Sequence, residues 1–377
     1  MKKKICFVVA VPITANVFLH DHIEALSRIY DIYLIGNIKN DKEVEKLRIT
    51  GWYKIDIERG ISFWKDMRAV WQTVCYFNKM KFDAVHSVTP KAGLVTALAG
   101  KVAGIKHRTH IFTGQVWATK TGFVRLALKS LDKMIARLNN HILVDGKSQR
   151  TFLEREGILK KDSALVFCNG SIAGVNSVRF APDTIARREE REKIGINDGM
   201  LTFIFLGRLN RDKGIDELCE AYNQLASEVK DVFLLLVGPD EEGYTHKILK
   251  FSHIRENVNY HYYGLTNYPE RVLNAGDVFV LPTYREGFGS SVIEAACVGL
   301  PCICSDAYGV LDAYVVGETG LQCKIGDAES LYHCMKRMHD DREMVCRLGK
   351  NSRNRALKDF NVSPITECWI NFYHDIL

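Results

Sequence analysis

The chain has 377 residues, 47% hydrophobic and 25% charged. This is enough apolar material for two cores at roughly 150 residues per domain, and it excludes collagen-like, low-complexity and wholly disordered chains. The formal net charge of +6 is too mild to argue for nucleic acid or membrane, but residues 101–150 hold ten Lys and Arg against two Asp, so the other 327 residues sum to −2.

In chain order, Lys2-Lys3-Lys4 precedes an apolar run at 5–11 that imitates a signal peptide. Pro12 ends the run with no small-residue cleavage site, so it is expected to be a first buried strand. Nowhere do eighteen apolar residues run together, so membrane contact is expected to be peripheral. Residues 20–29 read as an amphipathic helix, and 32–35 and 54–57 as strands. Residues 63–79 are expected to be helical, with Trp64, Met67, Val70, Trp71 and Val74 at three- and four-residue spacing as the apolar stripe. Then come a strand at 84–88, a helix at 93–103, a strand at 110–112, a helix at 123–138, a strand at 142–144, a helix at 149–156 and a strand at 165–168.

Asn, Gly, Ser and Pro cluster at 169–182, and the charged run 187–193 follows. This stretch reads as an interdomain connection. A second alternating series has strands at 202–206, 233–237, 258–262, 278–281 and 302–304. Its helices are expected at 215–229, 269–275, 290–299, 328–338 and 342–358. Such alternation means βαβ units around parallel sheets. The expected class is α/β, with two Rossmann-like domains at 1–175 and 182–360, a cleft between them, and a terminal helix at 362–377 packed back on the first. Ligand is expected at the carboxyl ends of the strands. Eleven scattered cysteines show no C-x-x-C or zinc spacing and read as buried free thiols of a reducing compartment.

Two stretches carry chemistry. Gly207-Arg208-Leu209-Asn210-Arg211-Asp212-Lys213-Gly214 places two cations between a strand end and a helix start, which suits a diphosphate. Glu286-Gly287-Phe288-Gly289-Ser290-Ser291-Val292-Ile293-Glu294 sets two carboxylates around a glycine-rich turn with seven residues between them. Ser290 and Ser291 are good helix-capping types, so free amides are expected to point at a ligand there.

These two stretches resemble the signature of retaining nucleotide-sugar glycosyltransferases of family 4, which have the GT-B fold; the second matches their E-x7-E element. FTGQVWATKTG at 112–122 and NGSIAGVN at 169–176 resemble the capsule and O-antigen branch, which acts on lipid-linked oligosaccharides. The resemblance implies that Arg208 and Lys213 bind the donor diphosphate, Glu294 the ribose hydroxyls and Glu286 the donor sugar. Amides of Gly287, Phe288, Gly289, Ser290 and Ser291 would contact sugar and phosphate. Leu265 falls where the family holds the base, and a UDP donor is expected. Catalysis would rest on Glu286, Arg208 and Lys213.

No D-x-D occurs; Asp56-Ile57-Glu58 is the nearest approach. No essential metal or other cofactor is therefore expected. Where many family members place a sugar-contacting His, this chain has Thr113, with His110 three residues earlier. Asn16, His20, Thr113 and Gln115 are the acceptor-side candidates.

Arg125, Lys129, Lys133 and Arg137 recur every four residues and are expected to form a basic helical stripe that docks on anionic lipid at the inner face of the cytoplasmic membrane. Nucleic acid is not expected, because no stacking aromatics interleave with these charges. The expected partners are a nucleotide sugar and a polyprenyl-diphosphate-linked saccharide. The alternatives are a GT-B sugar-nucleotide epimerase, which needs no acceptor, and a non-catalytic sugar-nucleotide-binding protein.

Overall fold

Val- and Ile-rich runs too short for helices are covered on both faces only in a parallel sheet with helical layers, and the chain forms two such sheets. A computed structural model describes residues 2–57, 62–245 and 259–377. It divides into one unit of Met1–Gly174 with Val362–Leu377 and a second of Val175–Asn361.

In the first unit the strands are β1 (Lys4–Val8), β2 (Asp31–Gly36), β3 (Gly51–Lys54), β4 (Ala84–Val88), β5 (His107–Phe112) and β6 (His141–Val144). They lie in the order β3-β2-β1-β4-β5-β6 and all pair in parallel. In the second unit the strands are β7 (Leu201–Leu206), β8 (Val232–Val237), β9 (Tyr260–Gly264), β10 (Val278–Leu281), β11 (Cys302–Ser305) and β12 (Gly320–Cys323). Their order, β12-β11-β10-β7-β8-β9, repeats the first topology, again all parallel. In both sheets the winding reverses between the unit's first and fourth strands. This switch point leaves a crevice at the carboxyl ends for a ligand.

Helix Val362–Ile376 belongs to the first unit. Its Trp369 ring stacks between His22 and His86, with both ring centroids 5.1 Å away. The indole N–H donates to the Ile172 carbonyl at 3.0 Å, and Tyr373 Oη lies 2.6 Å from His86 Nδ1. His110 is equally buried, with Nδ1 2.9 Å from Ser87 Oγ. A Cβ on Gly93 would sit 2.4 Å from the His110 ring, so helix Pro90–Val102 approaches β5 only because that position is glycine. His110 is therefore a core residue of the strand.

Several expectations need correction. The helix expected at 20–29 is His20–Ser27, and a further short helix, Pro12–Phe18, precedes it. The third strand is Gly51–Lys54, not 54–57. The strand at 165–168 reduces to one bridge, Leu143 to Leu165. The strand expected at 258–262 begins on Val258, outside the described residues, as does Glu58. The charged run at 187–193 is no connector. It lies in helix Thr184–Ile194, where Asp183 caps two amides, and buried Arg191 donates to Thr202 Oγ1 at 3.0 Å and the Ala275 carbonyl at 3.1 Å. Not all thiols are buried: Cys75, Cys168 and Cys346 are exposed. The expected apolar stripe of helix Phe63–Met80 is divided: Val74 and, partly, Val70 pack on the core. Ala69, Thr73, Val74 and Phe77 face the core, while Trp64, Met67 and Trp71 face solvent.

Candidate active site

The two chemistry-bearing stretches follow β7 and β10, the adjacent strands at which the second sheet reverses its winding. Arg208 leaves the end of β7. Arg211–Lys213 makes one 3-10 turn, Gly214 adopts φ 71°, and helix Ile215–Glu228 starts. A Cβ on Gly214 would lie 2.1 Å from the Pro282 carbonyl oxygen, so glycine lets the two loops touch. They are then laced together. Tyr284 N–H and Thr283 Oγ1 donate to the Asp212 carbonyl at 2.9 and 3.0 Å. The Arg285 guanidinium holds the Asp212 carboxylate with two bonds of 2.6 and 3.0 Å. Gly214→Ala combines an unfavourable φ with a backbone clash and is expected to cost about 3 kcal/mol or more; thermal unfolding measures it.

This lacing brings Lys213 Nζ into an ion pair with Glu286 Oε1, both side chains largely enclosed. Arg208 pairs with Glu241 at 2.9 Å, and Asn210 donates to the same carboxylate oxygen at 3.0 Å. Before any ligand binds, both cations thus face carboxylates that an incoming anion would displace.

After Glu286 the chain enters helix Ser290–Cys297. Gly289 (φ 86°) is its N-cap, not Ser290 or Ser291, and no side chain caps the first turn. The amides of that turn, which a capping side chain would otherwise occupy, are oriented to accept an anion. Phe288 is buried, its ring edge-on to Phe360 with centroids 5.3 Å apart, so only its backbone can serve a ligand. Glu294 lies on the helix one turn in. Burial raises its carboxyl to about 7, against the pull of Arg179, with Glu270 adding to the rise. Leu265 follows β9 directly and is 74% exposed.

The acceptor-side candidates lie in the first unit and are not all available. Asn16 spends its amide on the Pro12 and Glu43 carbonyls at 3.2 and 2.8 Å. His20 pairs with neighbouring Asp21 at 2.9 Å. Thr113 leaves β5 half-buried, and its carbonyl accepts the Gln149 amide at 2.7 Å. Gln115 is 1% exposed and its amide donates to the same Thr113 carbonyl. Its amide is thereby spent on holding the loop's shape.

The basic stripe also needs correction. Arg125 and Lys129 converge on Glu156 at 2.8 and 2.6 Å and lie over the Trp117 ring. Glu156 offsets one of their two charges; Lys133 is half-buried, and Arg137 alone of the four is exposed.

Thr89, at the switch point of the first sheet, was missed. It has φ 82°, a region costly for a β-branched residue, and its buried hydroxyl has no partner among the described residues. Only the following Pro90 hints at this in the sequence.

Residues 186–355 match the family Glycosyl transferases group 1. The capsular polysaccharide biosynthesis glycosyltransferase CapM of Staphylococcus aureus is 26% identical over 347 residues, 92% of this chain and 90% of that protein. An Escherichia coli UDP-Gal:alpha-D-GlcNAc-diphosphoundecaprenol alpha-1,3-galactosyltransferase is 28% identical over 328 residues, 85% of this chain and 82% of that protein. The crystal structure of Anabaena Alr3699/HepE with UDP and glucose superposes with a TM-score of 0.83 at 16% identity, covering 99% of this chain and 100% of that one. The chain has the GT-B fold, and its second unit carries the glycosyltransferase family segment. The matched family segment contains every donor-site candidate, and the two parallel six-stranded sheets are the two Rossmann-like domains of that fold. Among the described residues, no helix is long and apolar enough to cross a membrane.

Proposed function

We propose that this glycosyltransferase is a retaining family 4 enzyme of surface polysaccharide synthesis. It moves a hexose or N-acetylhexosamine from a UDP-sugar to a polyprenyl-diphosphate-linked saccharide at the inner face of the cytoplasmic membrane. The observation that carries this reading is the convergence of Arg208, Lys213, Glu286 and the uncapped turn at Ser290 on one switch-point crevice. The names of the capsular and diphosphoundecaprenol-directed relatives favour the substrate class.

The chemistry follows from charge. Breaking the anomeric C–O bond leaves positive charge on the sugar and negative charge on the departing diphosphate. Arg208, Lys213 and the helix amides are placed to take up that negative charge. The diphosphate oxygen then accepts the acceptor's proton on the same face, and no protein nucleophile is required. Two cations in this place make an essential divalent metal unnecessary; abolition of activity by chelation, restored by Mg²⁺ or Mn²⁺, would refute that point.

Glu294 is the proposed partner of the ribose hydroxyls, which it serves best as a carboxylate. With its carboxyl raised to about 7, the donor KM is expected to rise up to about tenfold per pH unit below 7. Glu294→Gln removes that slope and is checked by KM against pH. The whole reading is tested by incubating the enzyme with UDP-sugars and a polyprenyl-diphosphate saccharide. Formation of an extended lipid-linked product with the donor's anomeric configuration supports it. Conversion of the nucleotide sugar without acceptor would instead indicate an epimerase.

A further inference from the structure

We infer that Glu241 is a positioning residue of the donor site. It holds Arg208 as an internal counter-anion when no diphosphate is bound, yields it to the diphosphate of the donor, and takes it back as the diphosphate product leaves. The inference rests on the proposed diphosphate-releasing reaction, and it gives a task to a carboxylate that lies outside both chemistry-bearing stretches.

The sheet brings the two residues together. β8 lies beside β7, so the loop after β8 meets the loop after β7 at the carboxyl edge. The loops are pinned by their backbones. Leu209 N–H donates to the Pro239 carbonyl at 2.9 Å, and Glu241 N–H donates to the Leu209 carbonyl at 3.2 Å. Glu241 is thus tied to the residue that follows Arg208. Its Oε2 accepts from Arg208 Nη1 at 2.9 Å and from Asn210 Nδ2 at 3.0 Å.

Two observations set this contact apart from an ordinary surface ion pair. Three acids stand in a row at 240–242, and two of them serve the loops' own backbone. Asp240 accepts the amides of Glu242, Tyr244 and Thr245 at 3.2, 2.8 and 2.9 Å, and Glu242 accepts the Arg211 amide at 3.2 Å. Of the three, Glu241 meets a cation of the diphosphate stretch. Asn210 is 6% exposed, and its Oδ1 has no hydrogen-bond partner among the described residues. A buried amide with its carbonyl oxygen unsatisfied is costly, and what this one supplies in return is the bond that aims Glu241. Because Asn210 is buried and Arg208 half-exposed, the carboxylate keeps its place when the guanidinium turns to another anion. The consequence is kinetic. Two free cations beside an uncapped helix turn would bind donor and product diphosphate tightly and slow release. A competing carboxylate weakens both complexes alike, which raises KM without lowering kcat.

The test is calorimetric binding of UDP, inorganic pyrophosphate and uridine to the full chain and to Glu241→Gln, which keeps an acceptor oxygen and removes the charge. Kd for UDP and for pyrophosphate is expected to fall about tenfold, while Kd for uridine, which has no phosphate, stays at the parent value. The donor KM is expected to fall with no gain in kcat, the pattern of a change in uniform binding. In an Arg208→Ala background the same substitution is expected to gain about twofold or less, because Glu241 acts through Arg208. Melting temperatures of parent and Glu241→Gln show that both are equally folded. Unchanged or weaker binding of UDP and pyrophosphate by Glu241→Gln overturns the inference; weaker binding would mean that Glu241 aims Arg208 at the ligand instead of competing for it. An equal gain for uridine, or an undiminished gain without Arg208, overturns it as well. Failure of the functional reading looks different: pyrophosphate binds Glu241→Gln more tightly than the parent, but neither protein binds UDP or transfers sugar from it.

Discussion

Lys213→Ala is expected to lower kcat/KM for the sugar nucleotide by about 10²–10³-fold, the loss that follows removal of one fixed donor aimed at developing negative charge. Arg208→Ala is expected to cost less, because Arg208 is more exposed (45%) than Lys213 (16%) and water screens it better. In the resting protein Lys213 is held by Glu286, so its removal leaves an enclosed carboxylate facing the bound diphosphate. Part of the loss is therefore repulsion. The double variant Lys213→Ala with Glu286→Gln separates the two effects. If the pair acts as a unit, the double variant is little worse than Lys213→Ala alone. Steady-state kinetics with calorimetric UDP binding measures this. Parent-like kcat/KM in Lys213→Ala would remove Lys213 from the reaction. Arg285→Ala is the control, since its guanidinium is spent on Asp212; its first effect should be on stability, through the loss of the lacing between the loops.

What could be read from the sequence was what is local. Strand-helix alternation depends on neighbours a few residues apart, and it led to two parallel sheets. The cations of the first motif and the glycines of the second lie within single loops, so their juxtaposition at β7 and β10 needed only the topology. What could not be read depends on partners far along the chain. Arg125 and Lys129 read as a free basic stripe because Glu156, with which both pair, comes a whole strand and helix later. Gln115 looked available because the amide of Gln149, which shares its anchor on the Thr113 carbonyl, lies 34 residues away. Helix Phe63–Met80 has apolar residues on two faces, and periodicity alone cannot say which one meets the sheet. Strand β12, Gly320–Cys323, is four residues with a Gly and an exposed Gln. It has no apolar run, and parallel pairing with β11 alone makes it a strand.

Acidification from pH 7 to 5 is expected to lower the stability of the first unit by several kcal/mol, and the histidines around Trp369 and in β5 are the cause. Burial lowers His22 to about 4, against weaker upward pulls from the Ile172 and Ala173 backbone and Asp21. Burial alone lowers His110 to about 3. His86 is pushed well down by burial, with His110 and His141 adding to the effect. A histidine whose folded pKa lies below its unfolded value contributes stability that is complete above the unfolded pKa, near 6.5. That stability is lost progressively as pH falls toward the folded value, because the unfolded chain takes the proton first. At pH 5 the loss is about 2 kcal/mol for each of His22 and His110, with His86 adding in the same direction. One group opposes it. Burial raises the Asp132 carboxyl to about 6, although the Trp117 N–H draws it down, so the folded state gains about 1.4 kcal/mol on protonating it by pH 5. The net loss is a large part of the 5–15 kcal/mol that holds a typical domain. His22→Phe keeps a ring against Trp369 and removes the titration; its melting temperature is expected to fall less between pH 7 and 5 than that of the parent. An equal fall in both proteins would show that His22 does not report acid loss of the Trp369 packing.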